Sequence, residues 1–141
     1  MLKNLSPLLS PDLLHALASM GHGDEIVLAD AYFPAATHAK RLVRLPGIAA
    51  HEVLDAVLSV LPLDDFVPQP SCTMQVVGNT AEVPPAVVQF TEVLARHGHG
   101  APGPVERYAF YERAANAFVI VATGDTRTYA NILLKKGLVR P

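Results

Sequence analysis

Met20-Gly21-His22-Gly23-Asp24 runs directly into Glu25-Ile26-Val27-Leu28-Ala29-Asp30, and the reading of this stretch decides the fold. The apolar run that ends at Ala29 has the length and composition of a buried β-strand. In open α/β sheets, ligands gather at the carboxyl ends of such strands, which is where Asp30 would lie. His22 stands between two glycines at the mouth of the run. Glycine lets the backbone bend sharply and lets a ligand approach. Histidine is the side chain whose ordinary pKa places proton transfer near neutral pH. The same residues also suit a plain helix end, a turn and a strand that closes on a solvated aspartate.

Working outward, Ser10-Pro11 reads as a helix start, a capping hydroxyl followed by proline at the first helical position. Leu13, Leu14, Leu17 and Met20 follow with helical spacing, and Gly21 is a natural stop. Residues 30–37, with Phe33-Pro34, read as a loop, and 41–45 as a short strand closed by Pro46-Gly47. Residues 49–61 predict a helix with Val53, Leu54, Val57, Leu58 and Leu61 on one side. Residues 72–77 predict a strand, 84–96 a helix, 97–104 a loop, 105–115 a helix, and 118–122 and 132–134 two further strands. Helices that alternate with short buried strands argue for one α/β domain over residues 1–141, in three layers with a largely parallel sheet.

Composition narrows the function. The chain has 141 residues, of which 50% are apolar and 17% charged, against about 25% charged in an ordinary globular domain. A surface this poor in charge predicts burial between subunits, so a homo-oligomer is expected. A formal net charge of -2 and the lack of a long basic run argue against nucleic acid. Cys72 is the only cysteine, which fits a reducing compartment. The first residues offer no uninterrupted apolar core for a signal peptide, and no apolar stretch approaches the ~18 residues of a membrane span. A cytoplasmic protein is the expectation.

Several familiar chemistries find no support. Gly124-Asp125-Thr126 lacks a phosphate-binding lysine or a dinucleotide fingerprint. His97-Gly98-His99-Gly100 supplies two potential metal ligands with no third fixed nearby, so no metal is expected. His15, His38 and His51 are isolated and read as surface or helix-face residues. The segment Glu106-Arg107-Tyr108-Ala109-Phe110-Tyr111-Glu112-Arg113 is denser. On a helix, Arg107 and Tyr111 share one face, and Phe110 and Ala114 share another. One face would then offer a guanidinium and a phenol to a polyol while the other packs. In Tyr129-Ala130-Asn131, an extended backbone would point Tyr129 and Asn131 the same way.

Together these motifs resemble the L-fucose mutarotase family and, more distantly, the related D-ribose pyranases. The resemblance starts at Leu9-Ser10-Pro11 and passes through residues 20–25, Phe33-Pro34-Ala35 and 106–114. It closes on Ala122-Thr123-Gly124, Tyr129-x-Asn131 and Leu134-Lys135-Lys136-Gly137. Residues 65–104 match poorly. The Phe110-Tyr111-Glu112-Arg113 block favours the fucose branch. The resemblance implies an isomerase that interconverts α and β anomers of a free monosaccharide with no cofactor, assembled as a ring-shaped decamer with sites at subunit contacts. It places the general acid on His22 and the sugar contacts on Asp30, Asp64, Arg107, Tyr111, Tyr129 and Asn131. Ala130 stands where glycine is usual, which would strain the backbone if that position needs a positive φ. A D-ribose pyranase and a non-catalytic oligomeric sugar-binding protein remain as alternatives.

The chemistry fits the inventory. Mutarotation puts one proton on the ring oxygen and takes one from the anomeric hydroxyl, and a group with pKa near 7 can do both. Asp30 would orient the imidazole or bind a sugar hydroxyl. If residues 25–29 are extended, however, His22 and Asp30 sit at opposite ends of a strand, on the order of 20 Å apart at ~3.3 Å per residue. Either the chain folds back between them or the site is shared between subunits, and the low charge content favours sharing.

Overall fold

The structure, a computed structural model, describes residues Met1 to Pro141. Six strands form one mixed sheet in the order β2-β5-β1-β6-β3-β4, where β1 is Glu25–Ala29, β2 Leu42–Leu45, β3 Ser71–Met74, β4 Gly103–Val105, β5 Val119–Thr123 and β6 Ile132–Lys135. β2, β5 and β1 pair in parallel, as do β3 and β4, while β6 runs antiparallel between β1 and β3. The sheet is thus largely parallel, as expected, with one reversed strand, β6, at its centre. A parallel return needs a crossover of about a dozen residues or more. The link 124–131 from β5 to β6 holds no helix, and the chain returns reversed.

Alternation along the strands builds the two faces. Ile26 and Leu28 of β1 join one core cluster with Val119, Val121, Ile132 and Leu134. Val27 and Ala29 join the other with Ile120 and Leu133. Helices α1 (Pro11–Ser19), α3 (Ala50–Leu58) and α4 (Pro85–Arg96) cover the first face, where Leu13, Leu17, Val53, Leu54, Phe90 and Leu94 are buried. The single turn α2 (Ala35–His38) and helix α5 (Arg107–Asn116) cover the second through Ala35, Phe110 and Ala114. The three layers and the two faces of α5 follow the sequence reading. Ser10 caps α1, its Oγ accepting from the Leu13 N–H at 3.3 Å.

Three local expectations are corrected. Residues 103–105 form β4 rather than the end of a loop and the start of a helix. Three residues that include a proline carry no strand signature, and an edge position tolerates proline. Residues 75–77 leave the sheet after Met74, because the Val77 N–H turns to the Tyr129 hydroxyl at 3.0 Å. Helix α3 stops at Leu58, although Leu61 stays buried beyond it.

Asp125 ties the layers together. Its Oδ2 accepts from the Ala50 N–H at the start of α3 at 2.9 Å and from Arg127 Nη2 at 2.8 Å. Arg127 continues to Gln89 of α4 at 2.7 Å. Burial alone would push this carboxyl up, but the Arg127 side chain and the Ala50 and Arg127 N–H groups lower it from 3.8 to about 2. A depressed pKa stabilises the fold above the unfolded value, and that stability is lost as pH falls through the folded one. The shift is worth about 2 kcal/mol. Asp125→Asn is expected to lower unfolding free energy by about 2 kcal/mol at pH 7, with the difference fading between about pH 4 and pH 2. Urea titrations of both proteins across that range measure it.

Candidate active site

Asp30 emerges at the carboxyl end of β1. Because β6 is reversed, Asn131 enters its strand at the same end, where Leu28 pairs with Ile132. The two side chains hold each other. The Asp30 N–H donates to Asn131 Oδ1 at 2.8 Å, and Asn131 Nδ2 donates to Asp30 Oδ2 at 3.0 Å. Asp30 Oδ1 accepts from the N–H groups of Tyr32 and Phe33, both at 2.9 Å, which folds the turn after β1. Both residues are buried. Burial pushes the Asp30 carboxyl above its ordinary range, and the donors of Tyr32, Phe33 and Asn131 only partly offset it.

Helix α5 closes the pocket from above. Glu106 caps it by accepting from the Ala109 N–H at 3.0 Å, which sets Arg107 and Tyr111 over the strand ends. The Tyr111 ring stacks on His38 with centroids 5.5 Å apart and packs on Phe33 at 5.5 Å. His38, read from sequence as an isolated surface or helix-face residue, ends α2 and joins this aromatic cluster. Arg107 lies over the Tyr108 ring and donates to its hydroxyl at 2.8 Å. The resulting cavity of about 260 Å³ is lined by Asp30, Arg107, Tyr111, Tyr129 and Asn131, the residues that sequence reading singled out. It lies just below the ~300 Å³ lower end of ligand pockets, a size suited to a small polar molecule. Met74, Val77, Tyr32 and Thr128 also line it and were missed. Met74 and Val77 fall in a strand and its exit, where apolar side chains give no sequence signal of a site.

Tyr129 has φ 61, the left-handed region, a conformation that costs a non-glycine residue on the order of 1 kcal/mol or more. The strain expected at Ala130 is therefore one residue earlier. Ala130 has no positive φ and is fully buried in the core.

His22 and Asp64 are not in this pocket. They meet at the opposite end of β1, with His22 Nε2 3.1 Å from Asp64 Oδ1. The expectation that Asp30 orients this imidazole is corrected for a single chain, since the carboxylate beside it is Asp64. The Phe66 N–H donates to Asp64 Oδ1 at 3.1 Å, and the Phe66 ring lies 5.1 Å from the imidazole. The Phe66 N–H, ahead of His22, holds the Asp64 carboxyl below its ordinary range despite its burial. The Lys-Lys-Gly motif builds this corner. Lys136 Nζ donates to the Leu17 and Met20 carbonyls at the end of α1, and its own carbonyl accepts from the Gly23 N–H at 2.8 Å. Gly23 needs its freedom, at φ 88, and a Cβ on Gly137 would lie 2.5 Å from the Leu63 carbonyl oxygen. His97 pairs with Asp55 at 2.7 Å. No three His, Cys, Asp or Glu side chains converge as a metal site would require.

A three-layer α/β domain whose strand ends carry a small pocket that gathers Asp30, Arg107 and Asn131 defines the class, an α/β fold with a candidate site for a small polar molecule. The chain belongs to the RbsD / FucU transport protein family, whose model matches residues 3–139. It is 43% identical over 146 residues to the fucose mutarotase of Bos taurus, covering 99% of this chain and 95% of that one. The crystal structure of the Streptococcus pneumoniae fucose mutarotase in complex with L-fucose superposes with TM-score 0.93 at 43% identity, covering 99% of this chain and 100% of that one. The Bacillus subtilis RbsD complexed with D-ribose, at 19% identity and TM-score 0.77, covers 99% of this chain and 100% of that one and shares the fold.

Asn131→Leu removes a donor from a buried carboxyl. It is expected to destabilise by about 1–3 kcal/mol. Because the Asp30 pKa is already raised, losing that donor raises it further. The stability that a raised group contributes is full below its unfolded pKa and is lost as pH rises through the folded value. The deficit should therefore be larger at pH 7 than at pH 4, as denaturant titrations at the two pH values will show.

Proposed function

We propose that this protein is a mutarotase that interconverts the α and β anomers of a free monosaccharide, with L-fucose the leading substrate and no metal or cofactor required. The observation that carries the reading is the His22–Asp64 pair, a proton-transfer group oriented by a buried carboxylate, on a chain that also carries a sugar-sized polar pocket. The fucose mutarotases among its relatives support the same assignment.

In this mechanism Asp64, through Nε2, fixes the imidazole and leaves Nδ1 to work, so Asp64 acts as a positioning residue rather than a sugar contact. Protonated at Nδ1, His22 gives that proton to the ring oxygen, and the freed Nδ1 takes up the proton that the anomeric hydroxyl loses. The C1–O5 bond breaks, the aldehyde turns about C1–C2, and the hydroxyl at C5 adds back to the other face. A group that gives and then accepts a proton serves both directions. Asp30, Asn131, Arg107 and Tyr111 hold the ring hydroxyls, and the Tyr129 hydroxyl donates to the sugar while accepting from Val77. Anomers already interconvert in water, so positioning with acid–base assistance suffices.

Each site draws its two halves from two subunits. His22 and Asp30 lie at opposite ends of β1, and a single sugar cannot touch both within one chain. Exposed apolar side chains flank each half. Phe66 lies beside His22, while Tyr32, Val77 and Tyr108 lie around the pocket. A contact that joins unlike patches is head-to-tail, and repeated with a closing rotation it makes a ring. A ring-shaped homo-oligomer, a decamer in the family's manner, in the cytoplasm and without nucleic acid or membrane partners, completes the reading. No helix is long and apolar enough to cross a membrane.

Saturation-transfer NMR on free sugars tests the activity. His22→Ala is expected to slow enzyme-dependent α/β exchange of L-fucose at least about 100-fold, the lower range of general acid–base contributions. Unchanged exchange in a folded variant would remove His22 from the mechanism, and exchange confined to D-ribose would point to the pyranase.

Subunit mixing tests the sharing. His22→Ala and Asp30→Ala oligomers are each expected to be nearly inactive. After dissociation and joint reassembly at equal ratio, roughly a quarter of the sites regain both wild-type residues, because each site draws independently on two subunits. No recovery after verified mixing would contradict a shared site.

A further inference from the structure

We infer that Met74 and Val77 form an apolar wall that selects a 6-deoxyhexose over the hexose carrying a hydroxyl at C6. The inference rests on the mutarotase reading for its substrate and goes beyond it in naming what chooses the sugar. The pocket runs across the sheet edge in strand order, and its character changes along the way. At β1 and β6 it is polar, with Asp30 and Asn131, and Arg107 reaches in from α5. At the exit of β3 it presents Met74 and Val77.

The wall is fixed rather than loose. Met74 is buried in the second core cluster. The next residue, Gln75, donates its N–H to the Val105 carbonyl at 2.8 Å, and Val77 donates to the Tyr129 hydroxyl at 3.0 Å. Those bonds also occupy the wall's backbone donors. Met74 and Val77 themselves turn only methyl and thioether surface to the cavity, which offers a hydroxyl no partner, and the Tyr129 hydroxyl beside them is committed to the Val77 N–H and to the sugar ring. Phe33, the other fully apolar side chain of the lining, has its ring packed on Phe110 and Tyr111.

A 6-deoxypyranose has one wholly apolar substituent, the methyl on C5. Its ring hydroxyls match the polar groups at β1 and β6, which leaves the methyl for the β3 end. A hydroxyl on that carbon would be pressed against Met74 and Val77 unpaired. An apolar pocket discriminates against an added hydroxyl by up to about 100-fold.

The test uses the intact oligomer with ¹³C-methyl methionine on a deuterated background. The chain has 3 methionines, Met1, Met20 and Met74, and loss of one signal in Met74→Leu assigns the last. L-Fucose is compared with L-galactose, which differs only by the C6 hydroxyl. An NOE is expected from the fucose methyl to the Met74 methyl, with exchange efficiency about 10- to 100-fold higher for L-fucose. Val77→Asn, at an exposed position where folding is not at stake, should cut that preference about tenfold, and Val77→Ile should keep it. Equal exchange of the two sugars by the wild type, or an NOE from ring protons in place of the methyl, overturns the wall alone. A fucose methyl seated on Met74 with no exchange upholds the wall and sinks the mutarotase reading. Binding of neither sugar sinks both.

Discussion

The reversal of β6 is the constraint on which both the Asp30 pocket and the His22–Asp64 corner depend. Had that strand run parallel to β1, Asn131 would have entered the sheet at the end occupied by Glu25, and Asp30 would face no partner. In the antiparallel register Leu28 meets Ile132 and Glu25 meets Lys135. One short strand therefore delivers Tyr129 and Asn131 to one end of β1 and Lys136 and Gly137 to the other. The first pair builds the pocket. The second knits the His22 loop to the Leu63–Asp64 segment, where a reciprocal run of bonds joins Asp24, Lys136 and Gly23, and the Asp64 N–H reaches the Lys135 carbonyl at 2.9 Å.

Three buried carboxylates show how one fold assigns different work to the same group. Asp125 faces a guanidinium and two backbone donors and stays ionised, so it behaves as a structural tie. Asp64 is held ionised chiefly by the Phe66 N–H and can orient an imidazole. Asp30 meets only neutral donors, so burial prevails and its carboxyl titrates above the ordinary range. The balance of desolvation against donors sets the direction: burial is the larger at Asp30, the Phe66 N–H at Asp64, and at Asp125 the Arg127 guanidinium and two N–H groups together exceed it. Asp30 is thereby the most readily protonated of the three.

The sequence reading reached most of the elements because their signals are local. The capped start at Ser10-Pro11, the apolar run before Asp30 and the face shared by Arg107 and Tyr111 all depend on spacing within a few residues. The separation of His22 from Asp30 was equally legible, because strand geometry alone enforces it. What escaped reading depends on distant partners. β4 exists only because Gly103–Val105 finds the edge of β3, and the direction of β6 follows from what it pairs with. Asp64 carries no local sign of touching His22, since 42 residues separate them in sequence. Met74 and Val77 read as strand filling, which for Met74 is half true.

Tyr129 shows why motif and strain coincide. Its left-handed backbone turns the chain sharply enough that Ala130 drops into the core while Asn131 faces Asp30. The flanking contacts over-determine the conformation. Ala130 is enclosed by the first core cluster, Asn131 is locked by two hydrogen bonds to Asp30, and the phenol is held by Val77. A residue in this region persists only where its surroundings supply more than the strain removes. Here the supply comes from a buried small side chain and a buried polar pair, both made possible by the same turn. The turn that drops Ala130 into the core thus also sets the Tyr129 side chain on the pocket wall, with its hydroxyl on the Val77 N–H.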